Sequence, residues 1–121
     1  MSKSGLVVTI DIEDWAQSTL DSAMPITDRA RRNVEYVLDV LADTRCRATC
    51  FVLGLFAEKY PECVQRIADE GHEIASHGYG HVQVFAQTQT QFREDIRRSK
   101  AQLEDMTGKA VVGYRAPFYS V

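Results

Sequence analysis

Apolar residues along this chain alternate between short β-branched runs and longer stretches with helical spacing. Residues 6–12 form a nearly continuous apolar run, the pattern of a strand covered on both faces. Between 28 and 43, Val34, Val37, Leu38 and Leu41 recur at helical spacing, which predicts an amphipathic helix with Asp28 as its N-cap. Residues 48–53, with Thr49, Phe51 and Val52, read as a second buried strand ending at Gly54. Residues 55–70 are helical in pattern, but Pro61 cannot sit inside a helix, so a short helix and then a second one opening at the proline are predicted, closed by Gly71. A short strand over 73–76 follows. Thr88 and Gln91 then make a capping box ahead of a long amphipathic helix marked by Phe92, Ile96, Ala101 or Lys100, Leu103 and Met106, and ended by Gly108. Residues 110–114 predict a fourth strand that runs into Arg115-Ala116-Pro117.

Strand and helix in steady succession imply an α/β fold with right-handed crossovers and a mostly parallel sheet. In such sheets function gathers where loops leave the carboxyl ends of the strands. The polar exceptions to the apolar pattern fall there. Asp11-Ile12-Glu13-Asp14 closes the first strand, Ser76-His77-Gly78-Tyr79-Gly80-His81 follows the third, and Arg115 follows the fourth.

The second of these stretches carries metal-site chemistry. His77 and His81 stand four residues apart and are flanked by glycines. Neutral imidazole is a common ligand for a catalytic divalent ion, which typically takes a carboxylate as well and keeps one position for water. By strand alternation Asp11 and Glu13 point to one side; if the strand ends at Glu13, Asp14 swings back instead. Both Glu13 and Asp14 therefore stand as candidate third ligands. His72, at the start of its strand and away from the rim, reads as a structural hydrogen-bonding residue.

Composition narrows the range of functions. A chain of 121 residues, 45% hydrophobic, can bury one core, so 1–121 is read as a single domain or part of one. The formal charge of −3 leaves no electrostatic footprint for nucleic acid or an anionic membrane. Residues 1–5 lack the basic flank and apolar core of a secretory leader, and no apolar run is long enough to span a bilayer, which reads as a cytoplasmic chain. The three cysteines, Cys46, Cys50 and Cys63, make no even disulfide framework and read as reduced core or boundary residues.

Three stretches together resemble the polysaccharide deacetylase family of carbohydrate esterases. They are Thr9-Ile10-Asp11-Ile12-Glu13-Asp14, then Gly71-His72-Glu73-Ile74-Ala75-Ser76-His77-Gly78-Tyr79-Gly80-His81, then Gly113-Tyr114-Arg115-Ala116-Pro117. Within the family their wording is most similar to the branch of exosortase-associated exopolysaccharide loci, as are residues 48–54 and 92–100. The resemblance implies a distorted (β/α) barrel with fewer than eight regular strands, of which this chain would be the amino-terminal portion. It implies hydrolytic removal of N-acetyl groups from a polysaccharide or oligosaccharide containing N-acetylglucosamine.

The resemblance also implies roles for single residues. His77 and His81, with Asp14, whose short carboxylate matches the ligand usual in the family, or with Glu13, would hold a divalent ion, zinc first, with cobalt and nickel open to the same ligand types. Asp11 would be the base that takes a proton from water, Arg115 would hold Asp11 through a charge-assisted pair, and the Phe118 N–H would donate to an oxyanion. Ser76 would pack or orient the loop, and Trp15 and Tyr79 are candidate sugar-groove residues. In the family a histidine from a later motif protonates the leaving nitrogen, and these residues do not contain it. The unfinished sheet would then leave an edge open to a second copy of the chain. A non-catalytic metal- or glycan-binding role and a cyclic-amide hydrolase activity are the alternatives to deacetylation.

Overall fold

The structure, a computed structural model, describes residues 5–121; residues 1–4, most of the opening segment read above for a leader, lie outside it. Three parallel strands, β1 (Val8–Ile12), β2 (Ala48–Val52) and β3 (Glu73–Ser76), form a sheet in the order β1-β2-β3. The helices are α1 (Asp28–Asp43), α2 (Gly54–Lys59), α3 (Pro61–Asp69) and α4 (Gln89–Thr107). Pro61 opens α3 at its first turn, where its missing N–H costs nothing. Thr88 and Gln91 form the reciprocal capping box at the start of α4, and Gly108 ends that helix at φ +66°. At α1 the residue in the N-cap position is Thr27, and Asp28 lies one place inside, paired with Arg31 at 2.7 Å.

The core lies between sheet and helices. Leu38, Val52, Phe56, Val64, Ile67 and Leu103 are all essentially sealed from water. β1 is less covered than its apolar run suggests: Val8 and Ile10 are part-buried, because among the described residues β1 pairs only with β2. No helix among the described residues is long and apolar enough to cross a membrane.

The expected fourth strand over 110–114 shrinks to a single parallel bridge between Tyr114 and Ser76. Its hydrogen bonds run from Ser76 N to Gly113 O and from Arg115 N to Ser76 O, both 2.9 Å. Val111, two residues before Gly113, is drawn towards α4 instead. Val111 N donates to Glu104 and Val111 O accepts from Lys100 Nζ. Side chains of the helix thus take the backbone groups that a sheet ladder would have used.

Candidate metal centre

The parallel register sets the strand ends level. Ile12 pairs with Val52 and Val52 with Ser76, so Glu13, Leu53 and His77 leave the sheet along one rim. Asp11 and Glu13 face the same way, as the period of two in an extended chain requires. Both reach His77: Asp11 Oδ2 lies 3.8 Å and Glu13 Oε2 3.3 Å from Nε2. His81 Nε2 lies 2.9 Å from the same Glu13 oxygen. One ligand atom from each of Glu13, His77 and His81 falls within 4.8 Å of the others.

Asp14, the preferred carboxylate in the sequence, is placed elsewhere. Its Oδ2 accepts from both the amide and the hydroxyl of Thr27 at 2.6 Å, and its Oδ1 from the Ala16 amide at 3.2 Å. The strand ends at Ile12, the chain bends at Glu13, and the helical turn that follows begins with the Asp14 carbonyl, which accepts from Ser18 N at 2.9 Å. Burial pushes the Asp14 carboxyl up, but the Thr27 and Ala16 hydrogen bonds outweigh it and hold the pKa below its usual value. Asp14 therefore ties the end of β1 to the start of α1.

Electrostatics in the cluster favour a bound cation. His77 Nδ1 lies 2.7 Å from the Arg115 carbonyl, which can only accept, so Nδ1 carries the proton and Nε2 turns towards Glu13. Glu13 Oε2 and His77 Nε2 are then two buried atoms with no polar partner beyond the cluster itself. Burial raises the Glu13 pKa, but hydrogen bonds and charge from His77 and His81 bring it down to about 2. Burial lowers that of His77, and Glu13, the Arg115 carbonyl and Asp11 raise it above the usual imidazole value. Acceptors packed this closely favour positive charge, and one carboxylate with two imidazoles is a donor set that fits a divalent ion.

Beside the cluster, Arg115 Nη1 donates to Asp11 Oδ1 at 2.9 Å and Nη2 to Thr9 Oγ1 at 3.0 Å. Its guanidinium carbon sits 4.2 Å from the centre of the Phe51 ring. Phe118 lies in a turn over Pro117–Tyr119 with φ +54°, and its ring meets His81 edge-on at 4.7 Å between centroids. Ser76 Oγ contacts Ser99 Oγ at 2.7 Å and accepts from Gly78 N. His72 Nδ1 accepts the Ala48 amide at 3.1 Å, at the far end of the sheet. Trp15 is exposed, whereas Tyr79 lies beneath Arg98, 3.5 Å from its ring centre. The three cysteines are free thiols, Cys50 and Cys63 buried and Cys46 half-buried.

Two buried or half-buried polar residues at the histidine loop escaped sequence reasoning. Gln17 is sealed and donates from Nε2 to the Gly80 carbonyl at 3.2 Å. Asp95 accepts the Tyr79 amide on both carboxylate oxygens at 3.2 Å. Asp95 had a legible signal, since it lies on the stripe of α4 that runs through Phe92, Ile96, Ser99 and Leu103. Gln17 had none, because it stands in a polar stretch with no period.

Comparison with known proteins gives a consistent result. A family model described as polysaccharide deacetylase matches residues 13–121. The peptidoglycan-N-acetylglucosamine deacetylase of Bacillus cereus is 37% identical over 82 residues, covering 68% of this chain and 30% of that protein. The peptidoglycan deacetylase of Helicobacter pylori is 39% identical over 72 residues, covering 60% of this chain and 25% of its own length. Among solved structures, a polysaccharide deacetylase described from Mycobacterium smegmatis superposes with a TM-score of 0.79 at 30% identity, over 93% of this chain and 42% of that one. The chain thus spans under a third of the length of these two curated relatives.

Proposed function

Because this chain belongs to the polysaccharide deacetylase family, we propose that it carries the metal-binding part of an enzyme that removes N-acetyl groups from a polysaccharide containing N-acetylglucosamine. The observation that carries the reading is the meeting of Glu13, His77 and His81 ligand atoms within 4.8 Å, next to the Asp11–Arg115 pair. The names of the matched relatives, deacetylases of peptidoglycan, support the substrate class. Residues 1–121 are taken as one unit, the amino-terminal portion of a larger barrel, so activity belongs to the whole protein. The wording of residues 9–14, 48–54 and 92–100 supports placement in the exosortase-associated exopolysaccharide branch.

In this reading Glu13, His77 and His81 hold a divalent ion, zinc by preference. Such an ion supplies Lewis-acid chemistry, lowering the pKa of water towards about 7 and polarising an acetyl carbonyl. Asp11 takes the proton of the attacking water, and its carboxylate is aimed by the forked Arg115 guanidinium. The Phe118 N–H donates to the oxyanion that develops on the carbonyl oxygen. The bond between carbonyl carbon and nitrogen then breaks, the nitrogen is protonated by the histidine that the family supplies from a later motif, and the products are acetate and a free amine.

Acetate release from an N-acetylglucosamine oligomer, measured on the full-length enzyme with and without chelator, tests the proposal. Release abolished by chelator and restored by zinc is expected. Bound metal without any acetate release would leave a binding role as the better description.

A further inference from the structure

We infer that Asp95, outside the ligand set, is a positioning residue that holds loop 77–81 in its ligating conformation by gripping the Tyr79 amide; the inference rests on the metal reading above. The backbone of this loop is fastened group by group. His77 N donates to Val52 O at 3.1 Å and Gly78 N to Ser76 Oγ at 3.1 Å. The Gly78 and Tyr79 carbonyls accept from Gly54 N and Leu55 N, both at 2.9 Å, and the Gly80 carbonyl accepts from Gln17. Tyr79 N goes to Asp95, the one ionisable side chain among these partners.

Contact there is close. A Cβ on Gly78 would stand 2.9 Å from Asp95 Oδ2, so the carboxylate lies directly against the loop. The loop is also strained. Gly78 has φ +77°, which glycine tolerates, but His81 has φ +61°, a left-handed conformation that costs a side-chain-bearing residue about 1–2 kcal/mol. Such a conformation persists only when its surroundings over-determine it. An N–H to carboxylate hydrogen bond, roughly twice as strong as a neutral one, supplies that constraint. Asp95 reaches the loop from α4, an element that contributes no ligand. Outer partners of this kind typically change metal affinity by about 10- to 100-fold when removed.

The test measures zinc affinity of the full chain by competition with a chromophoric chelator, with the urea midpoint of the metal-free protein alongside. Asp95→Ala is expected to weaken affinity at least about tenfold. Asp95→Asn, which keeps one acceptor oxygen, is expected to weaken it by about threefold. A lowered urea midpoint with parental zinc affinity in the folded protein would mean a merely structural role and would overturn the inference. Should Asp95→Ala fail to fold, Asp95→Asn decides, and parental affinity in it overturns the inference. If His77→Ala leaves the parent's zinc affinity unchanged, the metal centre fails rather than the clamp. Amide exchange at Tyr79 then decides: faster exchange in Asp95→Asn supports the clamp, and the parental rate overturns it.

Discussion

Glu13 Oε2 stands 3.3 Å from His77 Nε2 and 2.9 Å from His81 Nε2, and neither Glu13 Oε2 nor His77 Nε2 finds a polar partner outside this cluster. A carboxylate oxygen and two imidazole nitrogens packed this closely favour a bound cation. Elemental analysis of the purified protein is therefore expected to find a divalent metal that is lost in Glu13→Ala, His77→Ala and His81→Ala. Asp14→Ala is expected to keep the metal and to lose stability by about 1–3 kcal/mol, because it leaves the Thr27 amide and hydroxyl without their acceptor. Loss of metal in Asp14→Ala with Glu13→Ala unaffected would reverse the assignment of the ligand.

Arg115 holds Asp11 with one nitrogen and Thr9 with another while lying on the Phe51 ring. Lysine carries the charge but neither the fork nor the flat face. In the full-length enzyme Arg115→Lys is expected to lower kcat by about 100-fold, the scale of a misplaced catalytic group, with metal content unchanged. Parental kcat in that variant would show that the guanidinium geometry at Asp11 does not matter for activity.

Gly54 is demanded by contact. A Cβ there would lie 2.3 Å from Tyr79 Cδ2 and 2.9 Å from the Tyr79 backbone. Gly54→Ala is expected to cost about 1–3 kcal/mol of stability in urea unfolding and to weaken zinc binding, since the displaced backbone belongs to the histidine loop. A variant as stable as the parent and with equal zinc affinity would contradict this packing.

His72 ties stability to pH. Burial lowers its pKa below the usual 6.5, so the unfolded chain binds the proton more readily than the folded one. Its contribution is complete above pH 6.5 and is lost as pH falls through the folded value. Urea midpoints compared across this window are expected to fall less steeply for His72→Asn than for the parent. Equal slopes would assign the acid sensitivity to other groups.

How far the chain could be read beforehand depended on how local the deciding forces were. Helix boundaries at Pro61, the capping box at Thr88 and the strand ending at Ser76 are set by backbone chemistry within a few residues, and all stand where the pattern predicts. Residues 110–114 carry a strand pattern, yet Glu104 and Lys100 take the backbone groups of Val111, a competition invisible without the helix in place.

The same division holds for the candidate site. Sequence alone determined that carboxylates, imidazoles and a guanidinium gather at the carboxyl ends of parallel strands, because hydrophobic alternation and the crossover rule depend only on residue order. Which carboxylate faces the histidines was decided by tertiary structure. Alternation becomes ambiguous where a strand stops, and here Thr27, thirteen residues on, captures Asp14 and leaves Glu13 to turn inward. The grip of Asp95 on Tyr79 is likewise a product of packing, for it exists only once α4 lies beside the end of β3.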